Sequence, residues 1–126
     1  MSNLLDKIGA ELRRGMVQIA ALSLLRKRLY GYQLVKVLAA AGLETEEGTL
    51  YPLLRRLESQ GLLTSEWDTE GSRPRKYYVL SSEGVEALPR LERIWEEISG
   101  SVGRILQQEG DAPEVEEPVV PVEEKR

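Results

Sequence analysis

Three groups of residues carry side chains able to bind a polyanion. Thr49, Tyr51, Arg55, Arg56 and Ser59 lie opposite a helical apolar stripe of Leu50, Leu54 and Leu57. Arg73, Arg75 and Lys76 surround Pro74 in a turn-rich run. Tyr32, Gln33 and Lys36 open another helical segment, with Tyr30 and Gly31 just ahead of it. Hydroxyl and amide groups can donate to phosphate oxygens, and a guanidinium matches a phosphate or a guanine edge. Cations at a hairpin tip suit a narrow, negative groove. Each group taken alone also fits a solvated surface, and the two tyrosines alone fit core packing. Glu58 is a poor neighbour for phosphate and is expected to face away or to pair with an arginine.

Other chemistries lack their residues. The 126-residue chain has no Cys and no His. Thiol nucleophiles, imidazole bases and the commonest zinc ligands are therefore missing, and no metal or cofactor is expected. There is no Gly-rich phosphate loop, and the carboxylates gather on the last helix and tail. An enzyme is not expected. Without Cys there are no disulfides, which suits a reducing cytoplasm. Residues 1–15 carry Asp6, Lys7, Glu11, Arg13 and Arg14, unlike a signal peptide. No run approaches the ~20 apolar residues of a membrane span. A cytoplasmic location without membrane contact is the expectation.

The net charge of −4 points away from nucleic acid only as an average. Residues 1–82 carry 12 basic and 9 acidic side chains, a net of +3. Residues 83–126 carry 5 and 12, a net of −7. The polyanion-binding groups all fall in the first part.

The elements that must hold these groups follow from periodicity. Leu4, Leu5, Ile8 and Leu12, then Met16, Ile19, Leu22 and Leu25, predict a long helix over about 3–28, with Ser2 as N-cap and a bend near Gly15. Gln33–Ala41 predicts a second helix stopped by Gly42. Thr45 can cap a third, with Leu50, Leu53, Leu54 and Leu57 inward and Gly61 at its end. Leu63–Trp67 and Lys76–Leu80 read as strands of a hairpin. Trp67 is expected in hairpin packing, and one of Tyr77 and Tyr78 in the core. Three helices and a two-stranded wing outline a mainly α, winged helix-turn-helix domain over 1–81.

Ser82 is expected to cap a last helix over 82–109. Leu88, Leu91, Trp95, Ile98, Val102 and Ile105 are spaced 3, 4, 3, 4, 3, a heptad seam that needs a partner helix. That partner is the first helix, the same helix of a second chain, or both. Pro89 is expected to kink the helix or to start a new segment. Residues 110–126 are Pro- and Glu-rich and read as an acidic, disordered tail.

Tyr30-Gly-Tyr32, Gly48-Thr-Leu-Tyr-Pro52, Leu57-Glu58, Gly61-Leu62-Leu63 and Arg75-Lys-Tyr-Tyr78 resemble the PadR family of regulators over roughly residues 12–100. The short C-terminal region resembles the smaller subfamily. The resemblance implies a homodimeric winged helix that usually represses transcription. It places the third helix in the major groove and the wing along the backbone or minor groove of double-stranded DNA. It implies that the C-terminal helices cross at a two-fold while the N-terminal helix, with Leu4 and Ile8, embraces the partner. It also implies that Trp95 could line an interface cavity for a planar hydrophobic molecule, as against a simple core tryptophan. A ligand sensor without DNA binding, and a winged helix that binds protein, are the competing readings.

Overall fold

The computed structural model describes residues 2–108 and 115–117. Four helices and three short strands follow in the order α1 (Ser2–Leu24), β1 (Leu29–Tyr30), α2 (Gly31–Ala40), α3 (Glu47–Ser59), β2 (Leu63–Asp68), β3 (Arg75–Leu80) and α4 (Ser82–Gln107). The chain divides into two units, 1–94 and 95–126. Of the acidic run 110–126, only 115–117 fall within the described residues.

The core of the first unit is almost wholly leucine. Leu25, Leu34, Leu38, Leu50, Leu54 and Leu88 are fully buried, with Val17, Ala21, Leu22, Leu53, Leu57 and Leu63 around them. The i, i+3, i+4 spacing in α3 turns Leu50, Leu53, Leu54 and Leu57 to one side. α1 contributes only its C-terminal half, while Leu4, Leu5, Ile8 and Leu12 stay exposed. α1 already includes Ser2, so Ser2 is not a residue outside its N-terminus, and it ends at Leu24 rather than 28.

Gly42 and Gly61 stop α2 and α3 as expected. Both have positive φ, 95° and 91°. The amides of Leu43 and Leu62 then reach back to the carbonyls of Leu38 and Leu57, at 2.8 and 3.0 Å. A residue with Cβ resists that left-handed turn.

Two expected caps move. Thr45 does not cap α3: its hydroxyl donates to the Leu43 carbonyl, and Glu46 occupies the cap position without a side-chain bond. Ser81, not Ser82, caps α4. Its Oγ accepts from the Gly84 amide at 2.9 Å and donates to the Gly61 carbonyl at 2.6 Å. Ser82 already belongs to the helix, so of the two adjacent serines only Ser81 stands at the cap position.

β1 is a third strand that periodicity does not announce, because two residues have no period. It pairs antiparallel with β3, giving the sheet order β1-β3-β2. β2 and β3 pair from Leu63↔Leu80 out to Asp68↔Arg75. The Leu80 amide donates to the Leu25 carbonyl at 2.9 Å, tying β3 to the end of α1. Tyr78 is the buried member of the tyrosine pair.

α4 runs through Pro89 as one helix, with no second segment. Pro89 and Val85 are both exposed, so water can satisfy the Val85 carbonyl that the proline leaves unbonded. Leu88 is buried in this chain's own core and Leu91 packs against it. Those two expected seam positions therefore serve the first unit. Trp95, Ile98, Val102 and Ile105 remain between 42 and 61 % exposed.

Candidate nucleic-acid interface

α3 is held by its four buried leucines, and this fixes which side faces out. Thr49, Arg55 and Arg56 are exposed, and Tyr51 is half-buried. The wing arises because β3 pairs with β2 and the turn between them contains Gly71 at φ 98°. The Glu70 amide donates to Asp68 Oδ1 at 3.0 Å, an Asx turn that starts the loop. Arg73 and Arg75 are exposed on the wing.

α3, the start of α2 and the wing enclose an open cleft of about 590 Å³. Tyr32, Tyr51, Arg55, Arg73, Arg75 and Lys76, all expected at the site, line it together. Tyr30, Pro74, Trp67 and Tyr78 complete most of the wall. No carboxylate of the described residues lines this cleft, although the chain is acidic overall. Four cations line it, Lys76 with Glu58 as its partner and the three arginines without a salt bridge among the described residues, and they give a local field opposite to that of the average chain.

The structure separates the remaining expected residues from this cleft. Thr49 lines a different hollow of about 310 Å³ with Arg13, Arg14, Glu44 and Glu46. Arg56 and Lys36 are exposed but do not line the cleft. Lys36 Nζ stands 5.3 Å from the ring centre of Tyr32, which is 49 % exposed. Gln33 serves the helix itself. Its Oε1 accepts from the Tyr30 amide at 3.1 Å and covers an orphan donor at the start of α2.

Lys76 is partly neutralised. Glu58 does pair, but with this lysine rather than an arginine, at 3.8 Å, and it also accepts from Ser65 Oγ at 2.6 Å. Ser65 and Lys76 share a sheet face with Tyr78, the face turned toward α3. The salt bridge removes the one acidic group of α3's second half from the cleft's charge balance.

Gly31 has a role that the sequence pattern does not show. It is the first residue of α2, and a Cβ built there would come within 2.5 Å of Tyr51 Cε1 and 3.0 Å of Cζ. Only a hydrogen leaves room for this ring. Burial, then the charge of Glu47, raise the Tyr51 phenol above its ordinary value of 10.0. At neutral pH it is a protonated hydroxyl that can donate to an anion.

Trp67 is the clearest departure. Expected in hairpin packing, it is 61 % exposed and lines the cleft. Its strand parity held the signal. Leu63, Ser65 and Trp67 share one face, and the core ends before Trp67 is reached. Arg28 also lies outside the expected set. It stacks on Tyr77 at 3.9 Å; Tyr77 meets Tyr30 edge-on at 5.3 Å; and Arg75 lies over Tyr30 at 4.5 Å. This alternating stack holds Arg75 from the other side of the sheet.

Comparison with known proteins agrees with this geometry. The model of the PadR-like family of transcriptional regulators matches residues 21–90. The chain is 38 % identical to the transcriptional regulator Rv3488 of Mycobacterium tuberculosis over 74 residues, 59 % of this chain and 69 % of that protein. It is similar to the crystal structure of a PadR family regulator from Eggerthella lenta, with 48 % identity, 86 % of this chain and 96 % of that one covered, and a TM-score of 0.76. A PadR-like regulator from Bacillus cereus aligns at 28 % identity over 79 % of this chain and 99 % of that one, with a TM-score of 0.69. The winged helix, its cleft and these relatives lead to one conclusion: the chain belongs to the PadR-like family of transcriptional regulators and is not an enzyme.

Proposed function

We propose that the protein binds double-stranded operator DNA as a homodimer and represses transcription. α3 enters the major groove and the wing follows the adjacent backbone. The observation that carries this is the cleft between them, lined by Arg55, Arg73 and Arg75, by Lys76 in its pair with Glu58, and by no described carboxylate, in a chain of net charge −4. Arg55 and Tyr51 act from α3, Arg73 and Arg75 from the wing, and Tyr32 from the start of α2. Thr49, Arg56, Gln33 and Lys36 stand outside the cleft and are assigned to flanking contacts, Gln33 through its free amide group.

Two exposed apolar stripes support the dimer: Leu4 and Ile8 on α1, and Trp95, Ile98, Val102 and Ile105 on α4. Such stripes need cover from water. Within the expected dimerisation segment 82–109, the part from Trp95 to Ile105 is thus assigned to the dimer contact, while Leu88 and Leu91 serve the chain's own core. A cytoplasmic location follows from the DNA partner, and none of the described helices is long and apolar enough to cross a membrane.

Anisotropy of a labelled duplex from the gene's own upstream region, at two salt concentrations, tests the DNA reading. Tight binding that weakens at higher salt is expected. No preference over a scrambled duplex would contradict it. A second reading adds release by a planar hydrophobic ligand at the seam, supported by Trp95 being 42 % exposed in the single chain. Quenching of Trp95 by planar aromatics, together with loss of DNA binding, is the expected result.

A further inference from the structure

We infer that Trp67 contacts the sugar–phosphate strand that borders the groove entered by α3, so that the cleft is a channel for DNA backbone. The inference rests on the DNA-binding reading above and adds to it a residue and a mode of contact.

An indole 61 % exposed is unusual for a strand residue, and its surroundings indicate what covers it. Trp67 pairs with Lys76 in the β2–β3 register and shares the sheet face of Ser65 and Tyr78. That face turns toward α3, so the indole stands inside the cleft and not at the wing tip. A wedge that parts two base pairs belongs at a tip. A residue on the inner wall instead meets whatever runs between helix and wing. With α3 in the major groove and the wing following the adjacent backbone, that is the strand at the edge of the groove.

The chemistry of the two walls fits a backbone. Deoxyribose is the apolar part of the strand, and an indole face can cover it while the indole N–H, a donor only, is free for a phosphate oxygen. The opposite wall offers the protonated Tyr51 hydroxyl and Arg55. Strand alternation sorts the charges of β2. Glu66 and Asp68 fall on the face opposite Trp67, so neither carboxylate flanks the indole on its own side. Lys76 meanwhile neutralises Glu58 at 3.8 Å.

The test uses the full chain and the upstream duplex with a labelled end. Trp67→Ala is expected to weaken binding about tenfold, the effect of withdrawing one large apolar contact. Because Trp67 carries no charge, the slope of log affinity against log salt is expected to stay unchanged. Trp67→Phe keeps an apolar ring and is expected to recover most of the loss. Melting curves of both variants should match the parent, since the side chain is outside the core. Iodide quenching of the parent should fall on DNA addition, and most of that protection should vanish in Trp67→Phe, where only Trp95 remains. If the parent binds the duplex while Trp67→Ala binds equally well, or if the protection survives in Trp67→Phe, the inference is overturned and the DNA reading stands. If the parent itself shows no binding, both fall.

Discussion

Gly31→Ala isolates the contact that sets the position of Tyr51. The new methyl group would lie 2.5, 3.0 and 3.3 Å from three carbons of the Tyr51 ring. Carbon atoms at rest keep about 3.5–4.0 Å apart, so the ring must move by roughly an ångström. Overpacking of this kind costs about 1–3 kcal/mol. Gly31 does not have positive φ, so Ala is compatible with its backbone and should by itself stabilise by about 0.4–1 kcal/mol. The net expectation is a loss of about 0.5–2 kcal/mol. In a Tyr51→Ala background the clash is gone, and the same substitution should reverse sign and stabilise. Urea unfolding of the four proteins at one protomer concentration measures the cycle. Equal effects of Gly31→Ala in both backgrounds would refute the claim that this glycine exists to seat the tyrosine. The single variant should also bind DNA less well, because the displaced hydroxyl lines the cleft.

Ile98→Glu puts a charge on an exposed apolar residue; it should leave the protomer folded but raise the dimer dissociation constant by about 100-fold or more, read by sedimentation, and an intact dimer would sink the α4 seam. Gly84→Ala drives a Cβ into the Leu62 carbonyl oxygen, which is backbone and cannot step aside; a loss of about 3 kcal/mol is expected, whereas Gly48→Ala, with open space around it, should be stabilising by about 0.5–1 kcal/mol, and calorimetry separates the two. Tyr77→Leu interrupts the Arg28–Tyr77–Tyr30–Arg75 stack; DNA affinity should fall about 2–5-fold through the lost placement of Arg75, and an unchanged affinity would show that the stack positions nothing.

The parts of the fold that could be read from the sequence are those with a period or a stop. The leucines of α3 define the helix and its outward face together, and Gly42 and Gly61 stop their helices because the backbone there needs positive φ. β1 could not be read, since it exists only through its pairing with Tyr77 and Tyr78. The choice between Ser81 and Ser82 depends on where the helix begins to within one residue, which the pattern of side chains does not encode. Of the two outcomes expected at Pro89, a new segment does not form, because the exposed Val85 carbonyl is open to water and the helix runs on. For the site, residue type pointed to Arg55, Arg73 and Arg75, which line the cleft. It failed for Trp67, because a tryptophan in a strand is equally at home in a core, and only the register shows that the core has ended. Nor could it show that the fold also uses Gln33 at a helix end and pairs Lys76 with Glu58.

The central claim is that the cleft between α3 and the wing is where DNA is held. Its most direct test is the salt dependence of binding to the upstream duplex for the parent, Arg55→Ala and Arg75→Ala. If the cleft grips the backbone, each substitution weakens binding and lowers the slope of log affinity against log salt by about one. Binding by both variants with the parent's affinity and slope would contradict the account.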